Sequence, residues 1–207
     1  MTSSIQMLVE RQNGFRGWAE RSATLRTIGV AVLANIVWIV LLLNVSPAAE
    51  LLRLSSELSL IPLDQRFSST PTESYIYLEA IGAQGRAIYV PSLWIDMLTP
   101  IFVAATWFLA LAYLTRHLLP SGHWLGWTML IPLLAIVGEW GENFGILAML
   151  SVYPERLPTV AVVSNTFTKL KYVSTFIPLV VVVVGLVMLG VTKLRHARQP
   201  LRAAKEE

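Results

Sequence analysis

The residues of this 207-residue chain that are best suited to chemistry lie in the segment Gly138 to Gly145, which reads GEWGENFG. Glu139 and Asn143 are four positions apart and Glu139 and Glu142 are three apart, so a helix would place all three side chains on one side. A carboxyl group inside a membrane costs on the order of 2.5–3.5 kcal/mol even on a lenient insertion scale. We therefore expect Glu142 and Asn143 to face the protein interior, a wet cavity or partner groups.

Charged residues from other parts of the chain are expected to meet these carboxyl groups. Asp96 begins one apolar stretch, Arg86 precedes it by ten residues, and Lys169 and Lys171 begin another. The predicted topology brings them all to the same end of the membrane. The predicted polar cluster consists of Arg86, Asp96, Glu139, Glu142, Asn143 and Lys169. Its predicted aromatic wall consists of Tyr89, Trp94, Trp140 and Tyr172.

Two interpretations of this cluster stay open. Buried acids paired with basic groups can simply hold helices in register, and an asparagine can hydrogen-bond between membrane helices. Ionisable residues inside a membrane are also typical of functional sites. In both cases we expect at least one of Glu139 and Glu142 to pair with Lys169 or Arg86, because an unpaired carboxylate at this depth would take up a proton or draw in water.

The elements that must position the cluster are predicted membrane helices. The chain is 55% hydrophobic and 14% charged, with a mean hydropathy of +0.60, whereas soluble domains carry about 25% charged residues. Stretches of about 20 apolar residues can span a hydrocarbon core of roughly 30 Å as helices. The predicted spans are about 27–45, 92–115, 124–152 and 169–192. The expected fold class is all-α, a four-transmembrane-helix bundle with short interfacial helices capping the outer face.

The chain is predicted to contain one membrane domain, residues 27–195, with a segment on either side. Residues 1–26 are a predicted cytoplasmic leader, either a short amphipathic helix at the interface or a disordered segment. Residues 46–91 form a predicted outer cap of two or three short helices, since Thr70 to Glu73 (TPTE) is typical of a helix start. Residues 196–207 are a predicted basic cytoplasmic tail.

The distribution of basic residues predicts the orientation. Ten Lys and Arg residues lie in the leader, in the link between the second and third spans and in the tail, against six in the longer segments of the opposite side. The positive-inside rule then places both termini in the cytoplasm. We expect a multi-pass protein of the cell membrane. In a cell with two membranes, this would be the inner membrane. Its expected partners are membrane lipids, with a larger membrane complex or a homo-oligomer as further alternatives.

Several chemistries are excluded or disfavoured by composition and motifs. The chain has no cysteine, which excludes disulfides, thiolate metal sites, iron–sulfur clusters and thiol nucleophiles. Its three histidines leave little material for a metal site. It contains no G-x-S-x-G, H-E-x-x-H or Walker A motif. The basic residues flank the spans instead of forming one patch, so we expect no nucleic acid, and we predict no metal and no cofactor.

The chain resembles a group of uncharacterised bacterial four-helix integral membrane proteins with an intramembrane E-x-x-E-N motif. The residues that carry the resemblance are Gly85-Arg86, Tyr89, Asp96, Pro100, Glu139, Glu142-Asn143, Tyr153-Pro154 and Thr168-Lys169. The resemblance covers residues 70–175. It implies that the polar cluster is a shared feature, and it implies no activity.

Three classes of function remain. The first is a binding or accessory membrane subunit with a buried polar cluster near the outer leaflet. The second is an intramembrane enzyme acting on a lipid or isoprenoid, loosely analogous to sterol isomerases of the emopamil-binding type, in which two buried carboxyl groups share acid and base roles. The third is a proton- or ion-coupled transporter, which would need an oligomer because four spans show no visible inverted repeat.

Overall fold

The computed structural model describes the backbone of residues 14–120 and 123–206 and the side chains of these residues up to 194. The described residues form helices and no strand. The α-helices are α1 (14–22), α2 (Leu25–Val45), α3 (Pro47–Glu57), α4 (Pro71–Ala80), α5 (Gly82–Asp96), α6 (Thr99–Leu118), α7 (Ile131–Val152) and α8 (Pro158–Glu206). Two 3₁₀ helices cover Leu63–Gln65 and Trp124–Leu130.

Four helical segments are long and apolar enough to cross a membrane. They are Leu25–Val45, Gly82–Leu118, Trp124–Val152 and Pro158–Leu194. The predicted all-α class is therefore confirmed, four helices could span a membrane as predicted, and the chain has the features of a multi-pass membrane protein.

Two of the helices extend beyond the predicted spans. The helix predicted to begin at residue 169 begins at Pro158, and the helix predicted to begin at residue 92 continues back to Gly82 with a short break at Met97 and Leu98. The prediction followed hydropathy, and both helices extend beyond their apolar part. In α8 the added turns carry Asn165 and other polar residues that are covered by protein. A helix needs satisfied backbone groups and packing, not continuous apolarity.

Local sequence signals explain where α3 and α4 begin. The Thr70 hydroxyl accepts a hydrogen bond from the Glu73 backbone N–H at 3.2 Å, and the Glu73 carboxylate accepts one from the Thr70 N–H at 2.7 Å. Pro71 occupies the first helical position, where no hydrogen bond is lost. At the start of α3 the Ser46 hydroxyl accepts a hydrogen bond from the Ala48 N–H at 3.1 Å, and Pro47 occupies the first helical position. The predicted helix start at residues 70–73 is confirmed.

Helices α7 and α8 form an antiparallel pair with close backbone contact. A Cβ atom added to Gly138 would lie 2.5 Å from the Lys171 backbone nitrogen, and one added to Gly145 would lie 2.5 Å from the Ser164 Cβ. Such distances leave no room for a side chain. Glycine at these positions therefore lets the two helices approach closely, as small residues do in membrane proteins.

Two hydrophobic cores lie at different heights along the long helices. The distal core contains Leu51, Leu63, Tyr75, Tyr77, Leu78, Ile81, Tyr89, Leu93, Ile146, Met149 and Ala161. The proximal core contains Ala19, Ala23, Leu111, Ala112, Tyr113, Leu114, Met129 and Val182. Polar residues lie between these two sets along the chain. They include Asp96 in α5–α6, Glu139 in the Trp124–Val152 segment and Lys171 in α8. The polar residues therefore lie at one level between the two cores.

The described part of the leader, residues 14–22, is helical and packs against the Trp124–Leu130 helix. Arg16 is buried, donates to the His123 carbonyl at 2.6 Å and pairs with Glu20 at 2.6 Å. Residues 1–13 of the predicted leader lie outside the described residues. In the predicted tail, α8 continues to Glu206, and its last residue, Glu207, lies outside the described residues.

Candidate functional site: an ion-pair cluster beside a cleft

Lys171 is the centre of the polar level. Its ammonium group donates to Glu142 Oε2 at 2.5 Å, to Glu139 Oε1 at 3.1 Å and to the backbone carbonyl of Asp64 at 2.7 Å. An ammonium group has three N–H donors, and these three acceptors use all of them. Only 11% of the Lys171 side chain is exposed, so the ion pairs lie in a largely desolvated environment. Lys171 thus connects α7, α8 and the 3₁₀ helix Leu63–Gln65.

Glu142 is the most enclosed carboxylate of the cluster, with 1% of the residue exposed. Its Oε1 accepts a hydrogen bond from the Thr168 hydroxyl at 2.6 Å, while its Oε2 binds Lys171. The Ser164 hydroxyl donates to the Glu142 backbone carbonyl at 3.0 Å. Both oxygens of this carboxylate therefore have partners, as a buried charge requires.

Glu139 differs from Glu142 because only one of its oxygens is engaged. Oε1 pairs with Lys171, and no described residue donates to Oε2. The residue is 9% exposed. It lines a cleft of about 200 Å³ between α6, α7 and α8. Glu139 is therefore the glutamate of the cluster that lines this cleft, and it has one carboxylate oxygen without a described partner.

The predicted pairing of the glutamates with Lys169 or Arg86 is wrong, and the basic partner is Lys171. Lys169 is exposed. Two residues that are two positions apart on a helix differ by about 200° in direction. Lys169 and Lys171 therefore cannot both face α7. Thr168 and Lys171 are three positions apart and share a face.

Arg86 lies elsewhere. It donates to the Leu78 carbonyl at 2.8 Å, and its guanidinium carbon lies 3.9 Å from the centroid of the Tyr153 ring. Arg86 thus ties α5 to the end of α4 and to the residue after α7. It does not belong to the cluster.

Asn143 and Glu142 face the interior, as expected. Asn143 is fully buried and donates to the Leu93 carbonyl at 3.5 Å. Its side-chain oxygen has no hydrogen-bond partner among the described residues. This amide links α7 to α5, and it adjoins the cluster without bonding to the carboxylates.

Asp96 lies at the same level on the α5–α6 side. Its Oδ1 accepts a hydrogen bond from the Thr99 hydroxyl at 2.8 Å, and the indole N–H of Trp38 donates to Thr99 at 2.9 Å. Thr99 also lines the cleft. Asp96 therefore borders the cluster through Thr99 and forms no salt bridge with a described residue.

Asp64 and Thr168 belong to the cluster but were not predicted as members. The Asp64 carbonyl binds Lys171, and its carboxyl group accepts a hydrogen bond from the Tyr89 hydroxyl. Burial of this carboxyl group raises its pKa above the ordinary value of 3.8, and the hydrogen bond from Tyr89 opposes that shift. The four-three-four spacing of Ser164, Thr168, Lys171 and Thr175 is a sequence signal for the polar face of α8. No such signal marks Asp64, because a backbone carbonyl makes the contact.

The four predicted aromatic residues have different environments. Tyr172 lines the cleft, and the Lys171 ammonium lies 5.3 Å from its ring centroid. Tyr89 is buried in the distal core. Trp94 is 55% exposed beside Phe144, and Trp140 is 40% exposed and donates to the Met97 carbonyl at 2.9 Å. Only Tyr172 is therefore part of the cleft.

The cleft combines a charged pair with walls that are mainly apolar. Its lining residues are Thr99, Pro100, Val103, Ala135, Glu139, Lys171, Tyr172 and Thr175. Clefts with apolar walls and a few fixed polar groups are typical of small-molecule sites. Such sites usually measure about 300–1,000 Å³, so a volume near 200 Å³ would hold the head of an amphiphile but not a whole lipid.

Comparison with known proteins gives no relative to guide the assignment: no family model, no curated protein and no solved structure matches the chain. The resemblance to four-helix proteins with an E-x-x-E-N motif stays a prediction.

Proposed function

We propose that this protein is a membrane-embedded binding protein whose cleft between α6, α7 and α8 receives the polar head of a membrane amphiphile. The observation that carries the proposal is the presence of the Glu139–Lys171 pair in a cleft whose walls are mainly apolar. Within this pair, the second carboxylate oxygen of Glu139 offers a hydrogen-bond acceptor to a head group. The neighbouring Pro100, Val103 and Ala135 offer apolar contact to the first part of a chain.

The proposal includes a placement in the membrane. Uncharged stretches cover residues 27–45, 97–115, 124–138 and 172–192, and a helix of about 20 residues is about 30 Å long. The stretch at 124–138 is shorter, but half of it is a 3₁₀ helix with a rise of about 2.0 Å per residue, which gives it about 26 Å. In this placement the apolar stretches form a four-helix bundle.

In this placement the cluster lies just beyond the distal end of the four uncharged stretches. Asp96, Glu139 and Lys171 would then lie at the boundary between hydrocarbon and head groups, where a charged group is much less costly than at the midplane. Helices α3 and α4 would cap the bundle above this boundary. The excess of basic residues at the opposite end favours cytoplasmic termini and an outward-facing cap.

Binding is favoured over catalysis by the state of the two glutamates. A reaction in which two carboxyl groups share acid and base roles needs both groups to reach the substrate. Both oxygens of Glu142 are occupied by Thr168 and Lys171. Glu139 alone presents a free carboxylate oxygen to the cleft. A single acceptor suits recognition of a head group better than a shared acid–base reaction.

The proposal is tested by asking whether the cleft retains lipid. The purified protein would be released from nanodiscs of mixed phospholipids into a mass spectrometer under native conditions. Thr175→Phe fills the cleft with a phenyl group, while the control Val173→Phe adds the same group at an exposed position two residues away. We expect one retained lipid in the parent and in Val173→Phe, and its loss in Thr175→Phe. Absence of a retained lipid in the parent, or its retention in Thr175→Phe, would overturn the proposal.

A further inference from the structure

The basic group of the cleft is not available to a ligand. The three N–H donors of Lys171 are used by Glu139, Glu142 and the Asp64 carbonyl. An anionic head such as a phosphate or a carboxylate would have to displace one of these acceptors. It would also meet the negative charge of the two glutamates at close range, which is unfavourable in a desolvated site.

The charged group that keeps a free atom in the cleft is an acceptor. Glu139 is nine-tenths buried, lines the cleft and has one carboxylate oxygen that no described residue engages. The Tyr172 ring also lines the cleft, and an aromatic ring is a favourable surface for a cation. The cleft therefore offers a hydrogen-bond acceptor and an aromatic ring to a ligand.

The charge balance at this level points in the same direction. Glu139 and Glu142 share one basic partner among the described residues, Lys171. A second cation would reduce this imbalance. The walls formed by Pro100, Val103 and Ala135 require that the rest of the ligand be apolar.

From these observations we infer that the ligand is an amphiphile with a primary ammonium head, which donates a hydrogen bond to the free oxygen of Glu139 beside the Tyr172 ring. This inference rests on the proposed binding function and adds the chemical class of the ligand. A quaternary ammonium carries the same charge without N–H donors and should bind more weakly. A phosphate head should be excluded.

The experiment compares heads on one chain length. Phosphatidylcholine nanodiscs would be doped with equal amounts of dodecylamine, dodecyltrimethylammonium or dodecyl phosphate, and retained probe would be measured by native mass spectrometry. We expect dodecylamine to be retained about tenfold more than either other probe, the magnitude of one charge-assisted hydrogen bond. Phosphatidylethanolamine, a diacyl lipid whose zwitterionic head carries a primary ammonium beyond its phosphate, is a separate arm that distinguishes a phospholipid ligand from a free amine.

Variants of the acceptor connect this preference to the cleft. Glu139→Gln should abolish the preference for dodecylamine, Glu139→Asp should keep it in weakened form, and Glu79→Gln, an exposed glutamate of α4, should leave it unchanged. Glu139→Asp retains the charge that pairs with Lys171, so it tests the inference even if Glu139→Gln does not fold.

The outcomes separate this inference from the proposed function. If all three probes are retained equally and Thr175→Phe removes them, the cleft binds amphiphiles and the inferred head group is wrong. Stronger retention of dodecyl phosphate, or an unchanged amine preference in Glu139→Gln, also contradicts the inference. If no probe depends on Thr175, the binding function itself fails.

Discussion

At the scale of single residues, Lys171 balances the charge of two buried glutamates. Lys171→Met would leave both carboxylates without their basic partner, so we expect a loss of about 3–5 kcal/mol in the free energy of unfolding. Lys169→Met is the matched control, because Lys169 is exposed and forms no salt bridge with a described residue. It should change stability by less than about 0.5 kcal/mol. Thermal unfolding in detergent measures both effects.

The double variant distinguishes an ion pair from a packing effect. Lys171→Met combined with Glu142→Gln removes a charge from each side, so it should recover part of the stability lost in Lys171→Met. Equal losses in the single and double variants would mean that the lysine stem, and not its charge, stabilises the contact between α7 and α8.

The contributions of Asp64 and Glu73 to the stability of the protein should change with pH in opposite directions. Burial raises the pKa of Asp64 above 3.8, so its contribution to stability is complete below about pH 4 and is lost as the pH rises through the folded-state pKa. The hydrogen bond from the Thr70 N–H lowers the pKa of Glu73 below 4.5, so its contribution is present above that pH and is lost on acidification.

The corresponding variants make this difference measurable. The melting temperature of Asp64→Asn relative to the parent should increase between pH 4 and pH 7. The deficit of Glu73→Gln relative to the parent should shrink as the pH falls below about 4.5. Parallel curves for Asp64→Asn and the parent would show that the Asp64 carboxyl group is not buried in the folded protein.

Residue types alone predicted the inward faces of Glu142 and Asn143, because membrane carboxyl and amide groups have few other options. They did not decide between Lys169 and Lys171. That choice depends on how α8 is rotated against α7, and the lysines differ by about 200° around the helix. The contact of Lys171 with the Asp64 carbonyl depends on the path of a 3₁₀ turn and had no side-chain pattern to reveal it.

At the scale of elements, the close approach of α7 and α8 positions the cluster. Gly138→Ala should be strongly destabilising, because its Cβ would meet the Lys171 backbone, which cannot move without separating the helices. Gly29→Ala is the control, since no atom lies within 4 Å of the added Cβ in α2. It should be neutral or stabilise by up to about 1 kcal/mol through helix propensity. Equal melting temperatures for the two variants would contradict the packing of α7 on α8.

Helix starts were predictable where a capping signal was present. The TPTE sequence at residues 70–73 gives α4 its N-terminus through one hydroxyl, one carboxylate and one proline. The start of α8 at Pro158 was not predicted, because hydropathy reports the lipid-facing part of a helix. Its first turns pack on α7 and α4 with small and polar residues such as Ala161 and Ser164.

At the scale of the whole molecule, the proposed orientation places the polar level and its cap outside the cell. The absence of cysteine makes single-cysteine labelling straightforward. We expect a membrane-impermeant maleimide to label Ser68→Cys on intact cells, because Ser68 is exposed in the proposed cap. Arg21→Cys, also exposed, should react only after permeabilisation. The reverse pattern would place the cleft at the cytoplasmic boundary and contradict the proposed orientation.

The central claim, that Lys171 holds a cleft-lining ion pair that receives an amphiphile head, is tested most directly by ¹⁵N NMR of the lysine ammonium groups. The chain has only four lysines. A buried ammonium with three acceptors should exchange its protons slowly, so we predict one ammonium signal at neutral pH. This signal should be absent in Lys171→Met. It should shift when dodecylamine enters the nanodisc. No slowly exchanging signal, or a Lys171 signal that dodecylamine leaves unchanged, would contradict the account.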